Sequence, residues 1–177
     1  MLKRAFIHII VFGIVIFTIY SCTKQETYPI IPEIKFEDFL LHYNSGINAY
    51  DMGVLTITFK DGDGDIGLKQ FETEPPYDYN LFINIYEILN GDTVEFIPLI
   101  IDTSDTIPKI DTIIFHQRIP MLTPTGSDKS ISGTIEDTLY IYSPDYPLDT
   151  IFIKVSIRDR ALHESNAVYT PLMKLGI

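Results

Sequence analysis

Two runs of strictly alternating apolar residues restrict this chain more than any other feature. Val54–Lys60 puts Leu55, Ile57 and Phe59 on one face, and Ile151–Arg158 does the same with Ile151, Ile153, Val155 and Ile157. A period of two turns one face of a strand to a core and the other away from it. No long stretch shows helical periodicity. Elsewhere Val, Ile, Thr, Tyr and Phe fall in short runs cut by Gly, Pro, Asn and Asp, the punctuation of strands and turns. Ile34–Phe39, Tyr79–Leu89, Thr93–Leu99, Ile110–Arg118, Ser130–Ile135, Leu139–Tyr142 and Ala167–Leu175 read as further strands. Asn90-Gly91 marks a hairpin, and Pro171 marks an edge. Some eight or nine short strands predict an all-β, antiparallel sandwich. Pro98–Lys129 is the least regular stretch and reads as an elaborated loop, the kind of segment in which binding often sits.

The first residues follow a different logic. Lys3 and Arg4 precede an almost wholly apolar run, Ala5–Tyr20. As a helix it would reach roughly 24 Å at 1.5 Å per residue, short of the ~30 Å hydrocarbon core. It reads as a secretion signal rather than a span. Ser21 then precedes Cys22, the chain's single cysteine, in the manner of a lipobox. Residues 1–21 are therefore expected to be a lipoprotein signal peptide, Cys22 the acylated first residue, residues 22–32 a lipidated tether and residues 33–177 one domain. Several acyl chains, at ~0.8 kcal/mol per buried CH₂, anchor stably in a bilayer. The expected address is the cell envelope, at the outer membrane, since Thr23 is not the aspartate that in some bacteria retains lipoproteins at the inner membrane.

The formal charge is −11. Lys3 and Arg4 belong to the segment expected to be removed, so the mature part is two units more negative. Such a surface repels nucleic acid and anionic headgroups, which leaves a protein or glycan as the partner class. With one cysteine, no disulfide forms within the chain.

The tract Ile57–Leu68, with Asp61-Gly62-Asp63-Gly64-Asp65 at its centre, and the ending Ile157-Arg158-Asp159-Arg160-Ala161 with Ser165-Asn166 resemble segments of uncharacterised lipoproteins of Bacteroidetes-type bacteria. The resemblance covers both ends of the mature domain and thins between Gln70 and Lys129. It implies a single immunoglobulin- or cadherin-like domain behind a lipidated cysteine, and it brings no activity with it.

Asp61, Asp63 and Asp65 alternate with glycines. Three carboxylates at this spacing repel one another, and a hard cation relieves the repulsion; calcium takes 6–8 oxygens at 2.3–2.6 Å. Alternate residues of a straight strand stand roughly 7 Å apart, so the chain must curl, and glycine permits the curl. An EF-hand is excluded because the sixth residue from Asp61 is Ile66 rather than glycine. Asp61 continues the inward series Leu55, Ile57, Phe59, and Asp159 continues the series ending at Ile157. In an immunoglobulin-like topology these two strands lie in opposite sheets and end at one mouth. The two aspartates are expected to meet there, with Asn166 adding an oxygen. A shared calcium, another metal, or Arg158 or Arg160 would relieve the buried charge; two purely structural polar turns are the competing reading.

No motif specifies a reaction. His42, His116 and His163 lack metal-ligand spacing, and there is no nucleophile elbow. The expected role is a non-catalytic binding or accessory domain, with a purely structural envelope lipoprotein as the alternative and a hydrolase as the less favoured one. A contiguous exposed apolar patch would discriminate in favour of binding.

Overall fold

The computed structural model describes residues 27–102, 109–122, 129–142 and 146–175. The expected signal peptide and Cys22 lie outside the described residues. Within them there are strands and no helices. β1 is Glu33–Asn44, β2 Ala49–Asp61, β3 Leu81–Leu89, β4 Asp92–Glu95, β5 Leu99–Asp102 and β6 Lys109–Thr112. β7 is Ile131–Tyr140, β8 Thr150–Ile157, β9 Val168–Tyr169 and β10 Met173–Lys174. One sheet has the order β1-β2-β7; the other has the order β10-β8-β3-β4, with β9 also on β8. β5 and β6 form a separate hairpin. All strand pairings are antiparallel, and neither sheet closes on itself.

The two alternating runs become β2 and β8, one in each sheet. Their apolar faces meet in one cluster: Leu55, Ile57 and Phe59 with Ile83, Ile85, Ile151, Ile153, Val155 and Ile157. Each of these is 5% exposed or less. Fully burying one such side chain stabilises by roughly 1.5–3 kcal/mol, so this shared interior holds the layers face to face in a sandwich-like arrangement.

Several boundaries differ from the sequence expectation. β1 runs on to Asn44, because register irregularities at Phe36/Asp38 and His42/Tyr43 break the alternation that would have revealed it. The expected strands Ser130–Ile135 and Leu139–Tyr142 are one strand, β7, which carries Glu136-Asp137-Thr138 without interruption. The expected strand Thr93–Leu99 divides. β4 stops at Glu95, Phe96 N–H still donates to Ile85 O (2.8 Å), and the chain then leaves for the β5–β6 hairpin. Ile110–Arg118 divides in the same way. After β6 the chain returns to β3, where Leu81 and Gln117 exchange backbone hydrogen bonds of 3.0 and 2.8 Å. The terminal strand is split in two at Thr170-Pro171, where the Thr170 hydroxyl accepts from Ile153 N–H (2.9 Å). Pro171 thus lies at a sheet edge, as its missing N–H requires.

Candidate metal centre

β2 ends on Asp61, whose side chain points inward in register with Phe59 and is 0% exposed. The chain then curls. Gly64 takes a left-handed backbone angle (φ 64), and Asp65 N–H donates to Asp61 Oδ2 at 2.9 Å, closing the loop on its own first carboxylate. Ile66 and Leu68, 0% and 4% exposed, pull the outgoing chain back into the core. Leu68 N–H is held by Ile119 O at 2.9 Å.

The loop after β8 supplies the other wall. Asp159 is 1% exposed. Its Oδ1 accepts His163 N–H at 2.7 Å, and its Oδ2 lies 2.8 Å from His163 Nδ1. The two loops are stitched together: Ala161 N–H donates to Asp65 Oδ2 (3.0 Å) and Arg160 N–H to Asp65 O (3.3 Å). Asp61, Asp63, Asp65 and Asp159 each offer one oxygen, and these four atoms lie within 4.8 Å of one another.

The electrostatics of this arrangement are unbalanced. Oδ1 of Asp61, of Asp63 and of Asp65 is buried without a hydrogen-bond partner. Burial first, then the charges of Asp63 and Asp65, push the Asp61 carboxyl from its ordinary 3.8 up to about 6. Asp65 is raised too, by burial and then by Asp159 and Asp63. The hydrogen bond to Asp159, followed by its charge, raises His163. Buried carboxylate oxygens without donors are costly. A cation among them supplies what the protein does not, and the four aspartates form a cluster able to hold a metal ion.

Four of the five residues predicted as ligands are thus brought together. The fifth is placed elsewhere. Asn166 Oδ1 accepts Ile34 N–H and its Nδ2 donates to Ile34 O, both at 2.9 Å, so its amide clips β1 to the second loop instead of facing the carboxylates. Of the expected arginine partners, one is drawn off and the other acts weakly. Arg158 lies over the Phe82 ring, 4.6 Å from its centroid, and donates to Pro76 O (2.8 Å). The charge of Arg160 lowers Asp65, but less than burial, Asp159 and Asp63 raise it. Sequence reasoning undervalued His163; the Asp159/His163 spacing across a tight turn was the available signal.

The chain's entry also touches this rim. Gly62 N–H donates to Pro29 O at 2.8 Å, the Tyr28 hydroxyl lies 3.3 Å from Ser132 Oγ, and Lys60 sits over the Tyr28 ring. No family model, curated protein or solved structure matches the chain.

Proposed function

We propose that this chain is an envelope lipoprotein anchored through acylated Cys22, whose immunoglobulin-like domain is a non-catalytic binding module pinned at one rim by calcium. The observation that carries the calcium reading is the convergence of four aspartates, of which Asp61, Asp63 and Asp65 each bury an Oδ1 without a hydrogen-bond partner. An all-oxygen, all-carboxylate donor set is hard. Calcium tolerates irregular coordination, whereas magnesium demands a near-ideal octahedron and zinc favours nitrogen and sulfur. Asp61, Asp63, Asp65 and Asp159 would hold the ion. Its role is to offset the mutual repulsion of the carboxylates and tie the end of β2 to the end of β8.

The neighbour order β1-β2-β7 against β10-β8-β3-β4 supports the immunoglobulin-like reading: it corresponds to strands A-B-E facing G-F-C with an added edge strand. The exposed Leu99, Ile114 and Tyr140 favour a binding module over a purely structural one, since contiguous apolar surface of this kind marks interaction sites.

The test is calorimetric titration of the mature chain with calcium, paired with melting curves. A ligand at 100 times its Kd stabilises by about 2.7 kcal/mol. Asp63→Asn should weaken the rise in Tm. No heat and no shift at millimolar calcium would remove the metal. The anchor is tested separately, by labelling the full precursor with palmitate in an exporting host. Label that persists in Cys22→Ala would remove the lipoprotein reading.

A further inference from the structure

The three-stranded sheet ends on β7. Among the described residues β7 pairs with β2, and no strand covers its other side. Parity identifies the groups that face the open side. Ile141 N–H donates to Asp51 O, in the same register as the β2–β7 ladder, so odd-numbered residues turn their backbone groups toward β2. Ser132, Thr134, Glu136, Thr138 and Tyr140 therefore turn N–H and C=O outward, and the same five side chains are exposed. Edge strands are ordinarily blunted by brevity, by proline, by lysine or by an inward-pointing charge. β7 is ten residues long and contains neither proline nor lysine; its guard is acidic, Glu136 and the core-facing Asp137.

A groove of about 430 Å³ runs beside the C-terminal half of β7. One wall is Thr138–Tyr142, and the other is built from Phe96, Pro98, Leu99 and Ile113–Phe115. Leu99, Ile114 and Tyr140 are 61%, 51% and 72% exposed. These apolar surfaces await cover.

Asp137 indicates the charge of what covers them. It lies on the core-facing side of this edge strand, and its Oδ2 is buried without a partner. Burial raises its pKa, and the Thr138 amide is the group that offsets the rise. That amide faces the open side, which locates the carboxylate at the same edge. Glu136 stands beside it, and β7 has no basic residue.

We propose that β7 and its groove receive an extended, lysine- or arginine-bearing strand of a partner protein, added to the open edge of the three-stranded sheet. Main-chain hydrogen bonds to Thr134, Glu136, Thr138 and Tyr140 supply affinity, as in other strand additions. Apolar side chains of the incoming strand cover Leu99, Ile114 and Tyr140. A basic side chain takes Asp137 and releases the Thr138 amide to the ladder. The net charge of the protein, −11, disfavours a second copy as the occupant.

The probes are two blocked eleven-residue peptides that alternate valine with threonine. One carries three lysines and the other three glutamates at the same positions. They are titrated into the ¹⁵N-labelled mature chain. The lysine peptide should shift the amides of β7 and bind at least about tenfold more tightly than the glutamate peptide, a difference of about 1.4 kcal/mol. Thr138→Pro removes an outward N–H without touching the ladder to β2. It should abolish binding and lower the Tm, because the buried Asp137 carboxylate loses the amide that offsets its burial, while the amide spectrum of the opposite sheet stays folded. Asp137→Asn should weaken the preference for lysine more than Glu136→Gln does, while retaining the β7 shifts. Three results would overturn the proposal: neither peptide binds, the shifts map away from β7, or the mature chain sediments as a dimer that Thr138→Pro dissolves, which would give the edge to a second copy.

Discussion

Asp61 and Asp159 end the inward-facing series of strands in opposite sheets, and both are sealed from solvent, at 0% and 1% exposure. Their oxygens lie within the 4.8 Å cluster shared with Asp63 and Asp65. Two apolar stripes that pack against each other along their length thus finish in charge of one sign.

Asp61→Asn relieves that repulsion and keeps the volume. In chelator the variant should melt a few degrees higher than the parent, as about 1 kcal/mol corresponds to roughly 2–4 °C in a chain of this size. In millimolar calcium the order should reverse, because the variant has lost a charged ligand. Melting curves in the two buffers check both halves. A lower Tm in chelator would contradict a buried, unpaired charge at this position.

The metal-free domain should be more stable in mild acid. The folded protein holds the Asp61 proton up to about pH 6, and an ordinary carboxyl releases it near 3.8. The contribution of this group is therefore present at low pH and lost as pH rises through about 6. Asp65 acts in the same direction. His163, raised by Asp159, contributes below its ordinary 6.5 and loses that contribution as pH rises through its folded value. His116 is lowered by burial and acts in the opposite sense. Comparing the parent with Asp61→Asn from pH 4 to 8 cancels His116. The parent's excess loss of stability should fall between pH 4 and 6. The rise in Tm caused by calcium should be larger at pH 8 than at pH 5.

Asn166→Ala should separate fold from cation. It strands Ile34 N–H and C=O, both now held by the amide, at a cost of about 1–3 kcal/mol. The Tm should fall in every buffer, and the increment produced by calcium should stay the same. A lost increment would return Asn166 to the ligand set.

Gly62→Ala tests the contact between the chain's entry and the carboxylate loop. A Cβ at Gly62 would be driven into the Tyr28 and Pro29 carbonyls. Amide exchange should quicken at Tyr28, Ile30 and Ile31 and stay slow in β2 and β8, with a stability loss of about 1 kcal/mol for the Gly62–Pro29 hydrogen bond.

The pairing of β2 with β8 across the core was readable because both strands alternate without a slip and each ends in an aspartate of inward parity. The four-carboxylate rim followed from the same count. β1 was only half visible, since its two irregularities flip side chains between faces and erase the period. β7 was read as two pieces because Glu136 and Asp137 look like a turn, and nothing in their spacing says that a strand at a sheet edge can carry them. Asn166 was misplaced because an amide satisfies a backbone as readily as it approaches a cation, and only the position of Ile34 decides between them. The groove at Leu99 and Ile114 depends on where the chain returns to β3 after β6, a long-range contact that no local pattern encodes.

Tyr28 and Pro29 settle against Gly62 at the carboxylate rim, and the residues between them and Cys22 span at most ~20 Å. Tyr140 lies at the other end of β7 from Ile131, roughly 30 Å away at the rise of a strand. Were Cys22 acylated as proposed, the carboxylate rim would be the pole nearest the bilayer, kept off it by its own charge within the reach of that segment, and the far end of the open strand edge would be held aloft where an approaching polypeptide meets it first.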